Sequence, residues 1–154
     1  MYEIRRVHLE DQEVFVKLYL EAYEHLSDYK YTTRREVKNY FRWLFKRDKN
    51  GFFAIEKNGK ICGFGASDGN WLDKVYGRVL EIHELFVIPS CRGSGMGKRL
   101  VEHILSYGKS RGLSIACLWV GEKNFLAINF YKKLKFEVVG KWGKWLRMKR
   151  QLTC

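Results

Sequence analysis

The 154-residue sequence has no long apolar run and few cysteines, and each scarcity argues against a class of protein. A membrane-spanning helix needs about 20 consecutive apolar residues, and no stretch approaches that length. The first ten residues alternate apolar and charged side chains, unlike the apolar core of a signal peptide. Repeats, low-complexity tracts and linkers are also missing, which favours a single domain over residues 1–154. We therefore expect a soluble, cytoplasmic protein without a membrane partner.

The cysteines are Cys62, Cys91, Cys117 and Cys154, and none of them forms a CxxC pair. No histidine stands at metal-ligand spacing from any of them. Three lie in or beside apolar segments, where cysteine behaves as a small hydrophobic residue. The pattern is typical of a reduced compartment, and it predicts neither a disulfide framework nor a metal site.

The chain is strongly basic, with 29 Lys and Arg against 17 Asp and Glu, a net charge of +12. Such a surface attracts polyanions, and nucleic acid, a phosphorylated cofactor and an acidic protein surface are all candidates. Acidic residues are interleaved with the basic ones, and no helix-turn-helix, zinc-finger or aromatic RNA-binding motif is present. A basic nucleic-acid-binding module is therefore a rival function with weak support.

Hydrophobic periodicity and turn signals predict an α/β domain with mixed strand directions. The first helix carries Val14, Phe15 and Leu18 on its apolar face, and Thr33 with Glu36 forms a capping box that begins the second. Asn-Gly at 58–59, between two apolar runs, indicates a hairpin. The predicted strands cover 2–8, 52–56, 60–67, 79–88, 114–120, 136–140 and 144–150; the predicted helices cover 11–26, 33–50, 95–109 and 124–134; and residues 68–77 form a polar connection.

A glycine-rich turn, Arg92-Gly-Ser-Gly-Met-Gly97, follows the apolar run that ends at Pro89 and precedes a helix. Strand, glycine loop and helix in that order present bare backbone N–H groups to a phosphate. The spacing before Lys98 excludes a Walker loop. The position of the turn, after several other elements, argues against a dinucleotide fingerprint.

Residues 85–100 strongly resemble the acetyl-CoA-binding signature of the GNAT superfamily of N-acetyltransferases. A second signature of that family lies downstream over 124–136, Asn-Phe-Leu-Ala-Ile-Asn-Phe-Tyr-Lys-Lys-Leu-Lys-Phe. The resemblance implies a mixed, mostly antiparallel sheet of six to seven strands flanked by about four helices, with splayed fourth and fifth strands. It also implies transfer of an acetyl group from acetyl-CoA to a primary amine, in a ternary complex and without a metal. A catalytically silent acyl-CoA sensor is an alternative within the same family.

The same resemblance implies roles for individual residues. A bulged fourth strand would offer backbone groups to the pantetheine arm, and Asn124 would hydrogen-bond that arm. Tyr131 would protonate the departing thiolate, as a nearby O–H can. The residues implied in cofactor binding are Phe86, Val87, Ile88, Arg92, Gly93, Ser94, Gly95, Met96, Gly97, Lys98, Asn124 and Tyr131.

The base that deprotonates the acceptor amine is open between Glu81 and Glu84, with His83 ranked below them and an ordered water as a further alternative. Glu81 stands eleven residues before Arg92, as the base does in histone-type members, and Glu84 stands eight before it, as in polyamine-type members. Strand alternation puts Glu81 and His83 on one face and Glu84 on the other, unless the bulge resets the register. One departure from the family is Lys135, where a glycine commonly ends the helix in left-handed conformation.

Family members vary their substrate through the first two helices and the loop before the fourth strand. In this chain those segments are rich in aromatic and acidic residues, which would suit a cationic amine. A small amine, a peptide N-terminus and a protein lysine remain open as acceptors, and a homodimer is one of the open assembly states. The residues concerned are Tyr19, Tyr23, Tyr29, Tyr31, Tyr40, Trp71 and Tyr76, with Glu21, Glu24, Asp28, Asp68 and Asp73.

Overall fold

A seven-stranded sheet in the order β1-β2-β3-β4-β5-β7-β6 forms the centre of the molecule in the computed structural model, which describes residues 1–152. All neighbouring strands are antiparallel except the parallel pair β4 and β5. This is the mixed, mostly antiparallel α/β sheet that was expected. The elements are β1 (Tyr2–Arg6), α1 (Gln12–Ala22), α2 (Arg34–Arg47), β2 (Phe52–Lys57), β3 (Lys60–Asp73), β4 (Gly77–Val87), α3 (Met96–Ser110), β5 (Ile115–Gly121), α4 (Phe125–Lys133), β6 (Glu137–Trp142) and β7 (Trp145–Gln151).

The two faces of the sheet carry different cores. Under α1 and α2 the core is aromatic, and the Phe15 ring lies 5.2 Å from Phe41 and 5.1 Å from Phe64. Under α3 and α4 it is mainly aliphatic, with Leu100 and Ile104 fully buried. Burying each such side chain stabilises the fold by about 1.5–3 kcal/mol. The sheet is thereby fixed from both sides.

Two local predictions are confirmed at the level of hydrogen bonds and dihedral angles. The Glu36 N–H donates to Thr33 Oγ1 at 3.2 Å and the Thr33 N–H donates to Glu36 Oε1 at 3.2 Å, which is the capping box. Asn58 and Gly59 both have positive φ, 53° and 81°, as a tight hairpin turn requires. Lys135, just past the end of α4, has φ 72°, so the left-handed turn forms there although the residue is not glycine.

Other expectations were wrong. The polar connection predicted over 68–77 is mostly strand, because a bulge lets β3 resume its pairing with β4 at Trp71 and continue to Asp73. The first helix ends at Ala22 instead of continuing to 26, and Val14 is 39% exposed instead of packing on the apolar face. The second helix ends at Arg47, where Asp48 accepts the Asn50 N–H and begins a short 3₁₀ turn.

β4 and β5 pair over a short distance and then separate. The pairing joins Leu80, Glu81 and Ile82 to residues 116–118, and we call 80–82 the paired segment of β4. From His83 to Val87, the open segment, β4 pairs with β3 alone among the strands described. A parallel pair that splays in this way leaves backbone groups on both inner edges without ladder partners. The opening lies in the middle of the sheet, directly beside the glycine-rich turn.

No helix within residues 1–152 combines the length and the apolar character that a bilayer-spanning segment needs. Cys62, Cys91 and Cys117 are free thiols, and the Sγ atoms of Cys62 and Cys91 lie 2.7 Å apart. Cys154 lies outside the described residues.

Candidate active site

A cleft of about 550 Å³ occupies the splay between β4 and β5. We call it the first cleft. Its walls are the open segment of β4, the glycine-rich turn, the end of β5 and the exposed side of α4. Of the residues expected to bind the cofactor, it is lined by Phe86, Val87, Arg92, Gly93, Gly95, Met96, Gly97, Lys98, Asn124 and Tyr131.

The glycine-rich turn presents unpaired backbone donors to this cleft. Gly95 caps α3 with φ 83°, a conformation that favours glycine. The first backbone bond across this cap runs from the Arg99 N–H to the Gly95 carbonyl at 3.1 Å, so the N–H groups of residues 96–98 precede the helical ladder. They carry the positive end of the helix dipole, which suits a phosphate.

Close packing and side-chain bonds fix the position of the turn. A Cβ on Gly97 would lie 3.3 Å from the Phe130 ring, so α3 packs closely against α4 at this glycine. Arg92 donates from Nε to the Val87 carbonyl at 3.0 Å and from Nη2 to the Ala22 carbonyl at 3.2 Å. The turn is thus tied to both β4 and α1.

α4 supplies two polar side chains to the first cleft. Asn124 caps the helix by accepting the Ala127 N–H at 3.3 Å. The Tyr131 ring is buried between Phe130 and Phe136, at 5.1 and 5.6 Å. Its hydroxyl has no hydrogen-bond partner among the residues described. Burial, and then the charge of Glu84, raise the pKa of Tyr131 well above its ordinary value, so the phenol keeps its proton at neutral pH.

A bulge in β4 places three candidate bases on one face of the sheet. Ala66 pairs with Glu84 and the next residue of β3 pairs with Ile82, so His83 is the extra residue. The bulge shifts the alternation by one residue. Glu81, His83 and Glu84 therefore all point toward the side of α1 and α2, and simple alternation, which separates Glu84 from the other two, does not hold here.

Glu84 is held mainly by phenols. Tyr40 donates to its Oε1 at 2.9 Å, and Tyr23 donates to its Oε2. Burial and the charge of Glu84 raise the pKa of both tyrosines well above the ordinary value, so both remain donors. Lys30 Nζ lies 3.5 Å from Glu84 Oε2. Glu84 is 4% exposed and lines both the first cleft and its neighbour.

Glu81 is held by a guanidinium group. Arg147 of β7 donates to both of its oxygens, at 2.6 and 2.8 Å, and to Asp73 at 2.7 Å. Burial raises the pKa of Glu81, and the Arg147 charge opposes that rise. Both carboxylate oxygens are therefore occupied by one bidentate partner. Glu81 does not line the first cleft.

His83 lies between two indoles, with ring centroids 4.8 Å from Trp43 and 4.9 Å from Trp71. Its Nε2 is 3.1 Å from Asp68 Oδ2, and Arg47 donates to that same oxygen at 2.6 Å. Asp68 is fully buried. The imidazole is thus oriented by a carboxylate shared with an arginine.

A second cleft of about 540 Å³ adjoins the first on the α1–α2 side. The two share residues 82–84, which form the boundary between them, and the second cleft also contains Glu81. Four of the expected aromatic residues line it, namely Tyr19, Tyr29, Tyr31 and Tyr40, whereas Tyr23 lines the first cleft and Trp71 and Tyr76 line neither. Of the expected acids outside β4 only Asp28 lines it, since Asp68 and Asp73 bind arginines and Glu21 and Glu24 line neither cleft.

Sequence reasoning missed Trp119, Trp142 and Trp145, which form the far wall of the second cleft. They come from β5 and from the hairpin of β6 and β7. Only the strand order places that hairpin beside β5, so no local signal identifies these residues.

The segment between α1 and α2 bridges the open end of the splay. The Tyr29 ring lies on the backbone of Gly121, where a Cβ would be 2.5 Å from the ring, and it packs 5.3 Å from Trp145. The Tyr29 hydroxyl accepts the Lys123 N–H at 3.1 Å, and Lys144 donates to the Asp28 carbonyl. This segment therefore covers the junction of the two clefts.

Residues 13–136 match the acetyltransferase (GNAT) family, which is most of the chain. The chain belongs to the GNAT family. It is 45% identical over 152 residues to an uncharacterised N-acetyltransferase of Methanocaldococcus jannaschii, which covers 98% of this chain and 67% of that protein. It is 48% identical over 131 residues to one of Archaeoglobus fulgidus, with 84% and 88% covered.

Solved structures agree with this assignment. A Pyrococcus horikoshii protein superposes with a TM-score of 0.88 at 34% identity, covering 98% of both chains. The PaiA N-acetyltransferase of Thermoplasma acidophilum, solved with coenzyme A, has a TM-score of 0.76 at 20% identity, with 98% of this chain and 99% of that chain covered, and so supports the GNAT fold. The expected family and fold are confirmed, and the protein is an acetyltransferase.

Proposed function

We propose that this GNAT enzyme transfers an acetyl group from acetyl-CoA to a primary amine by direct attack, with the thioester in the first cleft and the amine in the second. The observation that carries the proposal is the meeting of the two clefts at residues 82–84, with Tyr131 lining the first and Glu84 lining both. Two substrates that react directly need adjoining sites, and this boundary supplies them.

The first cleft suits acetyl-CoA, whose thioester supplies the activated acetyl group. The free N–H groups of residues 96–98 would hold the pyrophosphate, with Lys98 adding a full charge. The edge of β4 that faces the splay has no partner in β5 beyond Ile82, so it offers backbone groups to an amide-bearing arm, although the Val87 carbonyl already accepts from Arg92. The coenzyme A complex of the PaiA relative is consistent with this use of the fold.

On the amine side, we assign the proton acceptor to Glu84. An alkylammonium with a pKa near ~10 must lose a proton before it can attack a carbonyl. Glu84 lines both clefts, whereas both oxygens of Glu81 are bound by Arg147. The aromatic lining of the second cleft would hold the cation before deprotonation. Tyr131, which keeps its proton, would donate it to the leaving thiolate.

Thermal unfolding with and without acetyl-CoA tests the cofactor assignment. A ligand that binds the folded state raises its Tm, so we expect a clear increase at millimolar acetyl-CoA. Coenzyme A release measured over polyamines, amino acids, aminoglycosides and peptide N-termini then identifies the acceptor. No Tm shift together with no thiol release would overturn the proposal.

Tyr131→Phe tests the acid. We expect kcat to fall about 100-fold while acetyl-CoA binding, measured by thermal shift, changes little. Tyr76→Phe is the matched control, since Tyr76 lines neither cleft. An unchanged kcat in Tyr131→Phe would remove the acid role and leave the cofactor assignment intact.

A further inference from the structure

Lys30 places a primary amine of the chain itself at the junction of the two clefts. Its Nζ lies 3.5 Å from Glu84 Oε2 and 4.3 Å above the centre of the Tyr23 ring. The side chain is 20% exposed and lines both the first and the second cleft. These contacts, a carboxylate and an aromatic face, are those that would hold an alkylammonium substrate.

The position of Lys30 is fixed from both sides. Tyr29 before it is packed on Gly121, and Tyr31 after it lies 5.0 Å from the Tyr40 ring. The Tyr31 N–H also donates to the Tyr19 hydroxyl at 3.3 Å. The ammonium group is therefore held beside Glu84 by its neighbours in the chain, and it does not depend on a single long ion pair.

We propose that Lys30 is an acetylation site that the enzyme modifies in cis; this rests on the proposed function. Lys30 Nζ loses one proton to Glu84, and its electron pair forms the bond to the thioester carbonyl carbon. The C–S bond breaks as the nitrogen loses its second proton to solvent, and the Tyr131 hydroxyl protonates the thiolate. The products are an acetyl amide on Lys30 and free coenzyme A. The proton held by Glu84 passes through solvent to the Tyr131 phenolate.

The modification changes the charge beside Glu84. An acetyl amide carries no positive charge, so it cannot form the ion pair with Glu84 that the free amine forms. Glu84 then faces the second cleft without an internal counter-ion. Unmodified and modified protein therefore differ in how strongly a cationic acceptor is attracted to the boundary of the clefts.

The experiment is incubation of the full chain with acetyl-CoA in the absence of any acceptor. Intact mass measures the acetyl groups added, and peptide mapping locates them. We expect Lys30 to be acetylated about 100-fold faster than the exposed Lys17, at a rate per molecule that does not change on tenfold dilution of the protein. Lys30→Arg should abolish the rapid acetylation, Lys17→Arg should retain it, and Tyr131→Phe should slow it.

A second readout does not depend on turnover. An acetyl N-hydroxysuccinimide ester labels accessible amines, and coenzyme A in the first cleft should protect Lys30 from it while Lys17 is labelled as before. Equal acetylation of Lys30 and Lys17, a rate that falls on dilution, or no protection would each overturn the proposal. External amines acetylated while Lys30 stays unmodified would overturn it and leave the proposed function standing. No Tm shift with acetyl-CoA would overturn both.

Discussion

The paired and open segments of β4 each carry a glutamate on the same face, yet the two carboxylates have opposite surroundings. In the paired segment Glu81 is 2% exposed and both of its oxygens bind Arg147. In the open segment Glu84 accepts from two phenols, and its remaining partner is the ammonium of Lys30. A guanidinium in a bidentate pair is a structural partner, whereas phenols position a carboxylate and leave its negative charge in place.

Distance in sequence from the glycine-rich turn therefore does not distinguish the two candidate bases. Glu81 and Glu84 each stand where some members of the family carry an important acid. The splay and the Arg147 partner distinguish them, and both are properties of the assembled sheet.

The largest expected effect is on Glu84. Glu84→Gln should lower kcat by about 100- to 1000-fold, because the amide cannot accept the proton of the ammonium. Coenzyme A release at saturating acetyl-CoA measures it, with the exposed Glu102→Gln as the matched control. A kcat within a few-fold of the wild-type value would contradict the assignment of the proton acceptor to Glu84 and would favour Glu81.

Glu81→Gln should act on stability. Removing one partner of a buried charge pair leaves Arg147 with Asp73 alone and should cost about 3 kcal/mol in the free energy of unfolding. Urea denaturation measures the loss. If the variant keeps its stability and instead loses kcat, the structural role assigned to Glu81 is wrong.

Asp68 of β3, opposite Glu81 in the ladder, makes the stability of the protein depend on pH. Burial alone would raise the pKa of Asp68, but hydrogen bonds from His83 and Arg47 hold it below its ordinary value of 3.8. The stability it contributes is therefore present above that value and is lost as pH falls through the folded-state pKa. Asp68→Asn should cost about 2 kcal/mol at pH 7, and the difference from wild type should shrink in acid. Urea titrations from pH 7 to strongly acidic buffer check this, and a difference constant with pH would contradict it.

The smallest expected effect is on stability alone, with no change in catalysis. Lys135 has φ 72° at the end of α4, so Lys135→Gly should raise the free energy of unfolding by about 1 kcal/mol. The change lies outside both clefts and should leave kcat as it is. Destabilisation by this substitution would mean that the Lys135 side chain contributes more than its backbone strain costs.

Local signals predicted much of the fold. The capping box of Thr33 and the turn at Asn58 depend on neighbours in the chain, and each was predictable from a few residues. The extension of β3 to Asp73 was not predictable in this way. Its polar sequence is typical of a loop, and only the bulge after Asp68 allows it to pair again with β4.

The parts of the candidate site that consist of contiguous residues were predictable from the sequence. The turn at 92–98 lies where the motif placed it, but the partners of the two glutamates come from distant parts of the chain. Arg147 is 66 residues from Glu81, and Tyr23 is 61 from Glu84. Only the strand order and the packing of α1 bring them together, so no spacing rule could have found them.

The Tyr29 ring packs directly on the backbone of Gly121. The segment that covers both clefts is therefore held at a position where one added methyl group would collide with it. A side chain at position 121 has no room beside that ring, so it would lift the bridging segment while leaving the sheet beneath it in place. If the amine binds in the second cleft as proposed, changes in this covering segment would admit bulkier acceptors, while the sheet beneath, held by the pairing of β4 with β3 and of β5 with β7, stays constant.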